Sequence, residues 1–205
     1  GLEYPITFFD IETFQKAVPP YEGLRPYRQI PFQFSVHVLD SPGSDLKHFE
    51  FLAETPQDPR TDFMDKLIEV VPDTGTIMVY NASFEKSRIK ECAQHEPRFQ
   101  PWVDSVLDRF VDLLKPFNSF SYYHPDQHGS ASIKQVLPVL TDTDYSDLNI
   151  NEGSMASLSF VKMVFDSSMP EGTKNQIRED LLKYCALDTK AMVDVLNALI
   201  EECKD

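Results

Sequence analysis

Hydrophobic and polar positions change period several times along the chain, and those changes divide it into elements. Ile6-Thr-Phe-Phe-Asp-Ile-Glu12 reads as a strand, and Pro19-Pro20 ends whatever follows it. Pro31-Phe-Gln-Phe-Ser-Val-His-Val38 alternates large apolar with polar side chains, which predicts a half-exposed strand. His48 to Ala53 predicts a shorter one, and Phe63, Leu67, Ile68 and Val71 recur at helical spacing within residues 62 to 71. After the turn Pro72-Asp-Thr-Gly75, the continuous apolar run Thr76-Ile-Met-Val-Tyr80 suits an inner strand that Asn81 closes.

Ser83 is placed to cap a helix running to about residue 94, and Val106 to Leu114 supplies a helix end and a strand in unresolved proportion. Pro116 to Gly129 is aromatic, polar and broken by Pro125, so a long irregular loop or flap is expected. The remaining helices are predicted at Ser132 to Leu140, at Ser154 to Ser168 and over the last thirty residues. In the last of these, Thr173-Lys-Asn-Gln176 has the form of a capping box. An apolar stripe follows through Ile177, Leu181, Tyr184, Cys185, Met192, Val195, Leu196 and Leu199, and Asp188 falls on it. Early strands followed by dominant helices favour α/β layering.

With 205 residues, 41% of them hydrophobic, the chain can bury one sizeable core, and residues 1–205 are expected to form a single domain. A strand starting almost at residue 1 suggests a domain excised from a longer protein. No apolar run approaches the roughly eighteen residues of a membrane span, and the first residues lack the features of a secretory signal. A soluble, cytoplasmic protein with no membrane partner is expected. Cys92, Cys185 and Cys203 are odd in number and widely spaced, which gives neither a disulfide framework nor a zinc pattern. The 19 basic against 33 acidic residues give a net charge of −14, which argues against a track for long duplexes. A strand end held at one metal-neutralised pocket remains compatible with that charge. The absence of G-x-G-x-x-G and of a P-loop speaks against a nicotinamide dehydrogenase or a P-loop enzyme.

Side chains two apart on a strand emerge on one face, so Asp10 and Glu12 point together while Phe9 and Ile11 enter the other side. Two like charges against a core call for neutralisation, and hard carboxylate oxygens suit magnesium or manganese; the alternative is an exposed strand face. The helical period directs Asp188 inward and sets Tyr184 one turn away. Pairing of Asp188 with Lys or Arg is the competing explanation. Glu85 follows an inner strand in the first turn of a helix, where α/β proteins place ligands, or where it simply favours the helix dipole. Asn81 either ties down that turn or touches substrate, and Asp112, an acid among apolar neighbours, is a candidate supporting residue.

Together these residues resemble the DnaQ-like 3′–5′ exonucleases of the DEDD superfamily. Phe9-Asp10-Ile-Glu12-Thr13 matches the first motif, Asn81-x-x-Phe84-Glu85 the second, and Tyr184-x-x-x-Asp188 the third, in the form of the tyrosine subclass. The second motif ordinarily ends in Asp, so Glu85 departs from the pattern. More narrowly, Ile30 to His37, Val79 to Glu85, Gly129 to Pro138 and Leu182 to Thr189 look like the bacterial DUF2779 domain, an uncharacterised DnaQ-like branch. The resemblance implies a ribonuclease H-like fold with a central mixed five-stranded sheet flanked by helices. It also implies two divalent cations, Mg2+ or Mn2+: Asp10, Glu12 and Asp188 would hold one, and Asp10 would bridge to a second that Glu85 touches. Tyr184 would orient the attacking water, and nucleoside 5′-monophosphates would leave a 3′ end of DNA or RNA, single-stranded or short. Lys134 is expected to touch substrate, and Phe14 either stacks on the terminal base or belongs to the core. A fused or associated nuclease domain is compatible with the abrupt start. Two rival expectations are a catalytically weak nucleic-acid-binding or interaction module that retains the fold, and a hydrolase of short oligonucleotides.

Overall fold

A computed structural model describes residues 1–204. The elements in chain order are β1 (Ile6–Phe14), β2 (Ile30–Leu39), β3 (Leu46–Leu52), α1 (Arg60–Val70), β4 (Thr76–Val79), α2 (Ala82–His95), α3 (Gln100–Val106), β5 (Phe110–Asp112), α4 (Lys115–Asn118), α5 (Ile133–Leu140), α6 (Gly153–Phe165) and α7 (Glu171–Glu202). The five strands form one mixed sheet in the order β3-β2-β1-β4-β5. β1 runs antiparallel to β2 and parallel to β4; β2 and β3 are antiparallel, β4 and β5 parallel.

Helices cover both faces, and the alternation of β1 sorts its side chains between two cores. Phe9 and Ile11 pack with Phe63 and Leu67 of α1 and Ile89 of α2, whereas Ile6, Phe8 and Phe14 pack with side chains of α5, α6 and α7. Asp10 and Glu12 share the second face by period, so they lie under α7. The turn before β4 is drawn tight against the start of β1. Gly75 has φ +88°, and a Cβ there would stand 2.0 Å from the Pro5 carbonyl oxygen, so only glycine fits. Arg109 fastens the same turn by donating to the carbonyls of Pro72, Thr74 and Gly75.

Several expectations are corrected. The alternating strand is not half exposed: β2 is buried almost throughout. Its pairing skips Phe32 between Glu12↔Gln33 and Thr13↔Pro31, a bulge that sends Ile30 and Phe32 to the α6–α7 core and Phe34, Val36 and Val38 to the opposite one. Gln33, Ser35 and His37 therefore face α7, where each finds a partner. Gln33 Nε2 donates to the Leu181 carbonyl at 2.7 Å, while Ser35 Oγ and His37 Nδ1 lie 2.7 and 2.8 Å from Thr189 Oγ1. Polar side chains bonded to a covering helix look, in sequence, like solvent-facing ones.

The capping box at Thr173 is not used, because α7 already begins at Glu171 behind Pro170. Val106 to Leu114 resolves into the end of α3, a 3-10 turn at Leu107–Arg109 and β5. Between Pro116 and Gly129 the chain is largely irregular apart from the rest of α4 and a 3-10 turn at Pro125–Gln127. Of its two expected places, Phe14 takes the core. It is 0% exposed, with ring centroids 5.0 Å from Phe160, 6.0 Å from Phe165 and 6.2 Å from Phe32.

Candidate metal centre

Asp10 and Glu12 rise from the C-terminal part of β1 toward α7, and α7 returns Asp188 to meet them. One oxygen from each of the three carboxylates lies within 4.8 Å of the other two. Glu12 and Asp188 are buried and Asp10 partly so. Burial, then the charge of Asp188, pushes the Asp10 pKa up to about 8. Burial and the charges of Asp10 and Asp188 lift Glu12 well above the ordinary carboxylate range. Burial also raises Asp188, to about 6, against the hydrogen bond of Tyr145 and the charge of Lys134. Three carboxyl groups brought this close in a buried place are a donor set that a divalent cation would satisfy. All-oxygen donors fit magnesium or manganese.

Tyr184 is buried beside the cluster, and burial together with the charges of Asp188 and Glu12 pushes its pKa upward. Its hydroxyl therefore keeps its proton. Lys134 lies partly buried in the same place: its Nζ donates to the Asn151 carbonyl at 2.5 Å and to the Tyr184 hydroxyl at 3.0 Å. That ammonium also sits over the rings of Tyr184 and Tyr145. Lys134 thus lies beside the carboxylate cluster, where its charge lowers the pKa values of all three acids.

Glu85 is 2% exposed in the first turn of α2 and does not belong to the three-carboxylate cluster. Burial, then the charge of Asp10, raises its pKa to about 9, and its Oε2 is buried without a hydrogen-bond partner among the described residues. An orphaned buried oxygen on a carboxyl group that feels the charge of Asp10 is the feature a second cation would use. Asp112, read in the sequence as a candidate supporting residue, holds backbone at the start of α2. It accepts from the backbone N–H groups of Asn81 (3.0 Å), Ala82 (3.1 Å) and Leu114 (3.1 Å), so it pins the start of the helix that carries Glu85. This corrects the capping expectation: Ser83 does not cap α2, and its hydroxyl instead donates to Asn81 Oδ1. Asn81, at φ +93°, holds the turn and is exposed beside the site.

Tyr145 escaped the sequence reading. Its hydroxyl donates to Asp188 Oδ1 at 2.7 Å from a segment with no periodic signal. Its one mark in the sequence is that it is the single aromatic side chain in the polar run between Leu140 and Leu148. Tyr145→Phe keeps the ring and deletes that bond. It is expected to weaken manganese binding by about tenfold with the fold retained, because hydrogen bonds to metal ligands tune affinity on that scale. Calorimetric titration with Mn2+ checks this; unchanged affinity would show that Asp188 needs no such support.

A five-stranded mixed α/β sheet carrying a buried carboxylate cluster defines the class. The chain belongs to the family described as "Domain of unknown function (DUF2779)", whose pattern matches residues 7–132. That span includes Asp10, Glu12, Glu85 and Asp112 and stops short of Lys134, Tyr184 and Asp188. Among curated proteins it is similar to "Uncharacterized protein MG366 homolog" of Mycoplasma pneumoniae, 29% identical over 92% of this chain and 31% of the relative. It is also similar to "Uncharacterized protein UU173" of Ureaplasma parvum, 24% identical over 96% of this chain and 32% of the relative. The chain spans about a third of the length of these relatives. No solved structure matches it. No helix among the described residues is long and apolar enough to cross a membrane.

Proposed function

We propose that the chain is a metal-dependent 3′–5′ exonuclease domain of ribonuclease H-like fold that hydrolyses phosphodiester bonds and releases nucleoside 5′-monophosphates. The observation that carries this reading is the convergence of Asp188 on Asp10 and Glu12, most of the chain away, with one oxygen of each within 4.8 Å of the others. Those three would hold one Mg2+ or Mn2+, and Asp10 with Glu85 a second. Bound divalent cations supply Lewis acidity to the phosphoryl group and lower the pKa of water. The protein's own residues orient and exclude. Tyr184, protonated and anchored by Lys134, offers a hydroxyl that orients a water, and Lys134 brings positive charge toward a phosphate. Beside Glu12 opens a cleft of about 550 Å³, lined in part by Gln15, Tyr27, Gln29, Phe84 and Leu158, with the size and mixed amide and aromatic walls that suit a nucleotide.

The net charge of −14 favours one further reading, a hydrolase of very short oligonucleotides. A weak binding module is the less favoured alternative, because the carboxylates, Tyr184 and Lys134 are arranged together rather than dispersed. The test is incubation with Mn2+ and a 5′-labelled single strand. A ladder shortening from the 3′ end with mononucleotide product, abolished by chelation, is expected. Absence of product from strands of any length, DNA and RNA alike, would leave only the binding module. Product from dinucleotides alone would select the short-substrate hydrolase.

A further inference from the structure

We propose that the loop Arg25-Pro-Tyr-Arg28 is a binding surface for single-stranded nucleic acid, holding phosphates and a base upstream of the bond to be cut. The choice of nucleic acid rests on the exonuclease reading; the surface itself rests on separate observations.

Two clefts meet at this loop. One is the cleft that reaches Glu12, with Tyr27 and Gln29 in its wall. The other, of about 500 Å³, has Arg25, Arg28, Arg60 and His95 in its wall together with Glu22 and Glu91. A bridge separates them and keeps the loop in place. Arg88 donates to Gln29 Oε1 at 2.7 Å and to Glu91 Oε1 at 2.9 Å, and Arg28 Nη2 lies 3.1 Å from the same Glu91 oxygen. Two guanidinium groups thus share one carboxylate. Arg60 is committed to Asp58. Arg25 is exposed and makes no ion pair among the described residues. In a chain of net charge −14, this leaves positive charge at the mouth of the second cleft, where a phosphate arriving from the first would stand.

Tyr27 adds the second observation. It is 64% exposed at φ +59° in a turn closed by Arg28 N–H to the Arg25 carbonyl, with Pro26 preceding it. A turn with proline first and positive φ second ordinarily takes glycine at the second place. Here that place carries an exposed ring, held by its own N–H donating to the Lys16 carbonyl at 2.9 Å. The Tyr27 ring belongs to neither hydrophobic core, whereas a ring flanked in the chain by cations is how sequence-tolerant single-strand binders hold bases and backbone.

Binding is read by fluorescence anisotropy of a labelled strand of about 12 nucleotides, a typical single-strand site length, with calcium in place of manganese so that no turnover is needed. Arg25→Ala with Arg28→Ala is expected to weaken affinity about tenfold and to lower the slope of log affinity against log salt by about 1.4, two phosphate contacts' worth. Arg25→Ala alone, which breaks no ion pair, is expected to give about half of that slope change. Tyr27→Gly is expected to raise Tm by relieving the backbone while weakening strand binding about tenfold, two effects that a merely structural tyrosine would not combine. Unchanged affinity and salt slope in folded arginine variants would overturn the proposal, as would tighter binding of a duplex that ignores Tyr27→Gly. Binding that behaves as expected in a protein that releases no mononucleotide would overturn the exonuclease reading and leave the surface standing.

Discussion

Asp188→Asn is expected to lower manganese-dependent mononucleotide release by at least about 10³-fold, roughly 4 kcal/mol of transition-state stabilisation, while raising the Tm of the metal-free protein at pH 8. Both effects have one cause. Asp188 is 7% exposed and shares its surroundings with Asp10 and Glu12, so its negative charge is costly without a cation and needed with one. The substitution leaves an oxygen that still accepts from Tyr145, so packing and the 2.7 Å contact are preserved. Asp10→Asn should behave alike, because burial and the charge of Asp188 push its pKa up to about 8. Single-turnover assays and thermal melts of the same preparations check the pair of effects. Lost activity with a lowered Tm would mean that Asp188 is a structural acid; retained activity would remove the carboxylate cluster from the chemistry.

Stability of the metal-free protein is expected to fall as pH rises from about 6.5 to about 9. Asp10 at about 8 and Glu85 at about 9 have folded-state pKa values above their ordinary 3.8 and 4.5, and Asp188 is raised in the same sense. Across that window the folded chain holds protons that the unfolded chain has released, so each step up in pH favours unfolding. Their contribution is fully present below about pH 4 and is lost as pH passes the folded values. The neutral His37, lowered to about 4 by burial and then by His48, works in the opposite direction below about pH 6.5, which is why the decline is read above it. Each tenfold difference in proton affinity between folded and unfolded chain is worth about 1.4 kcal/mol. With protons shared among neighbours, the combined loss is on the order of several kcal/mol, or roughly 10 °C in Tm for a chain of this size. Saturating Mn2+ should flatten the profile by balancing the charges and by mass action. Melting curves in chelator and in Mn2+ from pH 6.5 to 9 decide it: a flat profile in chelator would mean that the carboxyl groups ionise freely and that no site has been prepared for a cation.

Local pattern made much of this architecture legible. Alternation at Ile6 to Glu12 placed Asp10 and Glu12 on one face, and the 3.6-residue stripe of the last helix carried Tyr184 and Asp188 inward; both depend only on the period of an element. The start of α2 was legible as a turn at Asn81 but not as one held by Asp112, because that contact spans thirty-one residues and sequence neighbours cannot show it. Ser83 and Thr173 had the right chemistry for caps and are not used as such: Asp112 and the earlier start of α7 supply those ends instead.

Side-chain chemistry and local period were enough for β1, β2, β4 and the longer helices, for the faces of β1 and α7, and for picking out Asp10, Glu12, Glu85 and Asp188 as candidates. Tertiary structure decided what those faces meet. The bulge at Phe32 turned Gln33, Ser35 and His37 under α7, Phe14 went into the core, Tyr145 came to the carboxylates from a segment without periodic signal, and α5 brought Lys134 to Tyr184. The physical reason is that burial, hydrogen-bond partners and the field around a charge are set by residues far apart in the chain, and only the packed sheet and helices bring those together.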